Sequence, residues 1–424
     1  TNEAGTIAYG GNCSRDNNTA VADNNTIRFN AMADGTHDNC TITVTDNASN
    51  TSNPLDVTDF TIGAVKPALV QVTPVPNYTN DNTSNYTFYS TLSGAIAYGG
   101  SCSSDNNTAV ADNNTITFNA LADNTYSNCT LRVTSPDSSG VASDNLSVSS
   151  FTIDTNAPTL DNVSIASSNT VSTLAKTGDR ITLSITSAGA IQAPSVSIAG
   201  QTATVTGSGA SWSAYYDMQS SDSEGTVSLN IGFSDLAGNA GDNITSTTGN
   251  ATSVLFDKTP PTLDNVTIAS SNSVSTLAKT GDNVTLSITS SEVIQTPTIM
   301  IAGQNATETG SGTSWSGAYT MASNSEGTVS LRVDFSDLAG NAGTRVTSTS
   351  NSSAVQFDRT SPTLNEITPV PTPTSDNESY YTFSSDEAGT IAYGGSCSSD
   401  NNTAVADNNT IRFTAMADGT HDNC

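Results

Sequence analysis

Apolar and polar residues alternate along this chain in short runs such as "TITVT" from Thr41, "VTLSIT" from Val284 and "VSLRVDF" from Val329. A period of two sends successive side chains to opposite faces of an extended backbone, so each run predicts a half-buried strand. Gly, Asn, Asp and Pro separate the runs, and no segment sustains a helical period. A complete unit contains about seven such strands, which predicts an all-β fold: a tandem array of immunoglobulin-like antiparallel β-sandwich domains. No apolar run approaches the roughly 18 to 20 residues needed to span a bilayer as a helix.

The pattern repeats in two forms. One carries paired cysteines, Cys13 and Cys40, Cys102 and Cys129, Cys397 and Cys424, always 27 positions apart. The other carries one tryptophan, Trp212 or Trp315, with "STLAKTGD" beginning at Ser172 and Ser275 and "FSDLAGNAG" at Phe233 and Phe335. Proline-bearing punctuation, "DTNAPTLDNV" at Asp154, "DKTPPTLDNV" at Asp257 and "DRTSPTLNEI" at Asp358, interrupts strand pairing and marks boundaries. Five repeats result: 1–62 (cysteine type, opening strands missing), 63–153 (cysteine type), 154–256 and 257–357 (tryptophan type), and 358–424 (cysteine type, closing strands missing). Residues 1–40 match 385–424 at nearly every position, so the chain reads as an excerpt of a longer array. Strand donation between incomplete ends is the alternative.

Composition narrows the function. The net charge is −28, with only 12 Lys and Arg among 424 residues, too few to form a phosphate-neutralising stripe, so nucleic acid is not an expected partner. Such an acidic surface suits divalent cations. Constant cysteine spacing within each repeat, without a Cys-x-x-Cys pair, predicts the disulfides Cys13–Cys40, Cys102–Cys129 and Cys397–Cys424 and an oxidising exterior. His37 and His421 occupy the position that Tyr126 fills in the middle copy, so they read as surface residues and not as catalytic bases. No set of nucleophile, base and orienting group is legible, and no enzyme activity is expected. Trp212 and Trp315 lie in alternating strand patterns and read as core residues, with a sugar-stacking platform as the alternative.

The motifs "AKTGDNVTLSITSSEVI", "SEGTVSLRVDFSDLAGNAG" and "FDKTPPTLDNV" resemble the bacterial Ig-like repeats of very large secreted and cell-surface proteins, including biofilm adhesins, and "GTIAYGGSC" to "NCTLRVT" resembles a relative of that class. The resemblance implies tandem sandwiches, an extracellular or cell-surface location, and calcium at domain junctions. In such proteins the ion is held by an Asp of the "DLAGN" loop, a linker Asp and a Glu of the following domain. That pattern selects Asp235, Asp257 and Glu292 at one junction, and Asp337, Asp358 and Glu387 at the next. At the two earlier junctions it is incomplete, because Gly63 and Leu92 leave only Asp46, and Ser135 and Gly189 leave only Asp154. The alternative is that these Asp residues only cap turns. The leading functional expectation is a structural fibre, sheath or adhesin stalk that self-associates; the second is a module that binds glycan or a cell surface.

Overall fold

The computed structural model describes residues 1–63, 65–136, 140–248 and 252–424. No helix occurs among these residues, and the chain forms two compact units, 1–255 and 256–424.

In the first unit, the middle cysteine repeat shows why the sequence folds as it does. Asn85–Ser90 lies between Asn113–Thr117 and Leu69–Thr73 in one antiparallel sheet. Gly94–Gly99 and Thr130–Thr134 form the centre of the other. Alternation governs burial: Tyr86, Phe88 and Ser90 point inward from one sheet, Leu131 and Val133 from the other. Tyr86, Phe118, Phe151 and Tyr126 stack through the core at centroid spacings of 6.1, 6.1 and 5.4 Å. The last strand, Phe151–Ile153, pairs antiparallel with Asn124–Tyr126 and parallel with Tyr78–Thr79, drawing the end of the repeat back over its beginning.

The first repeat carries a sheet of Thr19–Ala20, Gly5–Gly10, Thr41–Asp46 and Leu55–Asp56, which is the second sheet of the middle copy. In the first tryptophan repeat the order is Leu160–Ser167, Arg180–Ser187, Ser211–Asp217 and Thr204–Ser208.

The second unit repeats that order with Leu263–Ser270, Asn283–Ser290, Ser314–Thr320 and Thr307–Ser311. Val284, Leu286 and Ile288 from this sheet meet Ile299, Ile301 and Val333 from the facing one in a single buried cluster, which is the sandwich core. The last cysteine repeat contributes Leu364–Thr368, Tyr380–Ser385 and Asp407–Arg412, the counterpart of the first sheet of the middle copy.

The recurring "YGG…C" and "AVADNN" stretches have structural explanations. The second glycine takes a left-handed φ of +72°, +75° and +66° at Gly11, Gly100 and Gly395, and a Cβ on Gly100 would lie 2.0 Å from the Asn128 carbonyl oxygen. The tyrosine hydroxyl donates across the loop to a backbone carbonyl, Tyr9 to Asn17 and Tyr98 to Asn106. In the second stretch the buried Asn114 amide accepts from the Val110 N–H and donates to the Val110 and Asp112 carbonyls. Asn25 and Asn409 repeat the arrangement. One side chain thereby satisfies a turn that no ladder could.

Two sequence readings are corrected. His37 is 5% exposed, stacked 5.3 Å from Phe60, and its Nε2 lies 3.0 Å from the Ala33 carbonyl oxygen. Tyr126 reaches the equivalent Ala122 carbonyl at 2.8 Å. The two residue types exchange because each places a flat ring in the core and a polar atom on the same carbonyl. Trp212 and Trp315, read as core, are half-buried, each indole N–H donating 3.1 Å to a glycine carbonyl of its own hairpin.

The Tyr86 hydroxyl is buried without a hydrogen-bond partner among the described residues, and burial pushes its pKa up to about 12. In the last repeat the equivalent Tyr381 faces Glu366, whereas Gln71, at that position in the middle copy, is bonded to Ser149. Removing an unsatisfied buried hydroxyl removes a desolvation cost. Tyr86→Phe is therefore expected to stabilise the middle repeat by about 1 kcal/mol; a loss of similar size in chemical denaturation would show that the hydroxyl is satisfied.

Candidate metal centre

The six cysteines form three disulfides, Cys13–Cys40, Cys102–Cys129 and Cys397–Cys424, with Cα separations of 5.4, 5.3 and 5.2 Å. Cys102 and Cys129 lie inside the core cluster of their repeat. Each bond closes the loop that starts after the left-handed glycine; in the first two cysteine repeats the loop returns directly before a central strand of the second sheet, Thr41–Asp46 or Thr130–Thr134.

Carboxylates gather elsewhere. In the second unit Asp257, Glu292 and Asp337 each place a carboxylate oxygen within 4.8 Å of the other two. Three different segments position them. Asp257 opens the linker and accepts from the Thr259 N–H at 3.0 Å. Glu292 follows Asn283–Ser290, where the Ser290 hydroxyl donates to the Glu292 carbonyl at 2.6 Å. Asp337 is 1% exposed and caps the "DLAGN" turn, accepting from the Asn341 N–H and side-chain amide, each at 2.8 Å. The same amide donates to the Asp257 carbonyl at 2.9 Å, so Asn341 ties the turn to the linker. Turn capping and metal ligation are thus compatible at Asp337, since a carboxylate oxygen has lone pairs for both.

This grouping corrects the sequence reading. The "DLAGN" aspartate faces the linker that leads into its own repeat, not the linker that follows it. Strand direction is the reason. Leu331–Asp334 pairs antiparallel with Thr298–Ile301 and Ile294 bridges Asp337, which sets that turn beside the start of the repeat. The closing strand Gln356–Phe357 instead pairs with Leu277–Ala278, and the Asp358 N–H donates to the Ala278 carbonyl at the other end. Asp337 and Asp358 therefore do not share a site. Likewise Asp235 belongs with Asp154, because Asn239 donates to the carboxylate of Asp235 and to the carbonyl of Asp154 at 2.8 and 2.7 Å. Gly189 stands where Glu292 stands in the next copy, so that end of the first tryptophan repeat lacks the third carboxylate.

Asp358 and Glu387 have other company. Burial first, and then the charges of Asp358, Asp386 and Glu326, hold the Glu387 carboxyl above the usual range. Glu326 accepts from the Thr360 hydroxyl at 2.6 Å and the Arg359 N–H at 3.2 Å, and the Thr360 bond is the main cause of its lowered pKa. Sequence reasoning missed Glu326 and Asp386. The available signal was the acidic residue preceding the short strand near the end of each repeat, since Asp123 holds that position in the middle cysteine copy. Its carboxylate accepts from the Thr155 N–H at 3.2 Å, the Thr155 hydroxyl at 3.0 Å and the Asn156 amide at 2.6 Å. In the first repeat, Asp46 caps its own turn and its pKa is lowered, chiefly by Asn50 with a smaller contribution from Glu3.

No family model matches the chain, and no curated protein matches it. Among solved structures it is similar to the fibronectin(III)-like modules of Clostridium thermocellum CbhA, at 13% identity over 46% of this chain and 94% of that one, with a TM-score of 0.25. It is also similar to the D1-D4 ectodomain fragment of ICAM-5, at 12% identity over 84% and 96% with a TM-score of 0.30, and to the FN1-FN3 domains of chicken CNTN1, at 9% identity over 70% and 99% with a TM-score of 0.22. The fold assignment rests on the sheets and cores described above.

Replacing Cys102 and Cys129 together by serine is expected to destabilise the middle repeat by about 3 to 4 kcal/mol, as chain-entropy closure of such a loop gives. Denaturation of the full chain checks this through loss of the middle repeat's transition; an unchanged midpoint for that transition would remove the stapling account.

Proposed function

We propose that the chain is a non-catalytic extracellular array, a run of Ig-like sandwiches acting as a surface fibre, sheath or adhesin stalk. The observation that carries this reading is that repeat 257–357 is tied by side chains to the linkers at both its ends. Asn341 bonds the Asp257 carbonyl at the leading end, and Thr360 bonds the Glu326 carboxylate at the trailing end. The trailing linker is held on its far side as well, because the Thr363 N–H donates to the Asp386 carboxylate at 2.7 Å, and a linker held in this way transmits orientation from one sandwich to the next, as a stiff spacer requires. Disulfides in the cysteine repeats and the resemblance of the motifs to bacterial Ig-like repeats support an oxidising, extracellular setting. Near-identical repeats carry near-identical surfaces at regular intervals, which favours lateral self-association.

Calcium belongs to this proposal. Asp257, Glu292 and Asp337 supply hard oxygen ligands from three segments, and Ca²⁺ takes such ligands together with backbone carbonyls and water. Its charge would offset the mutual repulsion of three close carboxylates and lock the linker against the turn. The first tryptophan repeat, with Gly189 at the third position, would bind more weakly.

Two measurements test this. Calorimetric titration of the full chain with Ca²⁺ is expected to show a site that Glu292→Gln weakens by about tenfold or more, roughly the loss of one charged ligand. No binding, or binding indifferent to that change, contradicts the metal assignment. Electron microscopy of the native material is expected to show strings or regular filaments; isolated compact particles would contradict the array.

A further inference from the structure

The last cysteine repeat departs from the middle copy at Glu378, Tyr380, Arg412 and Thr414, which all line one concavity of about 420 Å³; the first copy shares the arginine, as Arg28. In the first two copies an aspartate three residues beyond the first cysteine is bonded by an asparagine amide: Asn30 donates to Asp16 at 3.0 Å and Asn119 to Asp105 at 3.2 Å. In the last copy Thr414 replaces that asparagine; its N–H keeps the bond to the Ser398 carbonyl that Asn30 and Asn119 make to Ser14 and Ser103, and its hydroxyl turns to the same carbonyl at 3.2 Å. Asp400 is left without a hydrogen-bond partner among the described residues, and its side chain lines the concavity.

Other lining residues have changed with it. Asn85 and Thr117 face each other across two strands in the middle copy and satisfy one another at 2.7 Å. Their counterparts are Tyr380 and Arg412, also directly paired. Tyr380 is 59% exposed and presents a ring to solvent, with the Arg412 guanidinium 5.9 Å from its centroid. Arg412 is ion-paired with Glu378, which replaces Thr83. A self-satisfied polar surface has thereby become a cleft with an aromatic plate, a guanidinium held by its counter-ion and a carboxylate awaiting a donor.

These groups complement a hydroxyl-rich ring. The axial C–H face of a pyranose lies on an aromatic ring, its hydroxyls donate to a carboxylate, and a guanidinium or amide donates to its oxygens. An ammonium ligand would find carboxylates over the whole of this acidic chain, but the plate beside Asp400 selects for shape. We infer that the last cysteine repeat holds a binding subsite for a neutral pyranose residue of a glycan, formed by Tyr380, Asp400 and Arg412. The site is independent of the array proposal, since a stalk and a compact particle could both carry it.

Saturation-transfer NMR and calorimetry on the full chain test it, with trisaccharides of glucose, mannose and galactose as probes and glucosamine as the cationic comparison. At least one neutral trisaccharide is expected to bind saturably. The double change Tyr380→Asn with Arg412→Thr, which installs the residues of the folded middle copy, is expected to weaken that binding by about tenfold or more, and Asp400→Asn to do likewise. Both variants should keep the native circular dichroism spectrum, because the middle copy accommodates a polar pair at the first site and the second change is isosteric. Binding that survives the double change, saturation by none of the neutral probes, or binding of glucosamine alone with strong salt dependence would each overturn the assignment.

Discussion

The hydrogen bond from an Asn or Asp side chain to nearby backbone is the interaction on which the rest of this structure depends. Strands here are short, and charged residues make up only 12% of the chain, so ladders and ion pairs leave many loop groups unpaired. The Asx side chain fills that gap. Asn114 holds the turn that follows the first cysteine of its repeat, Asp337 and Asn341 hold the turn that meets the leading linker, and Asp123 holds the trailing linker. Each bond contributes only about 1 kcal/mol net. Their importance lies in placement, because they decide where the disulfide loop, the carboxylate cluster and the neighbouring sandwich come to rest.

The same side chains serve both shape and charge. Asp337 is buried because it caps a turn, and capping aims its remaining lone pairs towards Asp257 and Glu292. Where the third carboxylate is absent, as at Gly189, the turn persists and Asn239 still reaches the linker carbonyl. The turn is therefore the primary constraint in physical terms, and the proposed cation would be a supplement to it, with three carboxylates in one copy and fewer in its neighbour.

Much of this was legible in the sequence because its cause is local. A period of two gives the strands, and constant cysteine spacing gives the pairing within a repeat. The carboxylate sets were less legible because they depend on which end of a sandwich a loop faces. That direction follows from strand pairing such as Leu331–Asp334 with Thr298–Ile301, which no motif states. Motif order suggested that the "DLAGN" aspartate looks forward along the chain, whereas it looks back. Glu326 escaped notice because its partner, Thr360, is remote in sequence and ordinary in type. The burial of His37 was obscured by its chemistry, since an imidazole bonded to a carbonyl and stacked on Phe60 behaves as an aromatic core residue.

The linker at Asp154 provides the most direct test of whether Asx bonding sets the order of the array, because Asp123 binds both Thr155 and Asn156 there. Electron–electron resonance between spin labels placed on either side of that linker in the full chain would report the spread of distances directly. The account predicts a narrow distribution that Asp123→Ala broadens. A broad distribution in the unaltered chain, or a width that Asp123→Ala leaves unchanged, would contradict it.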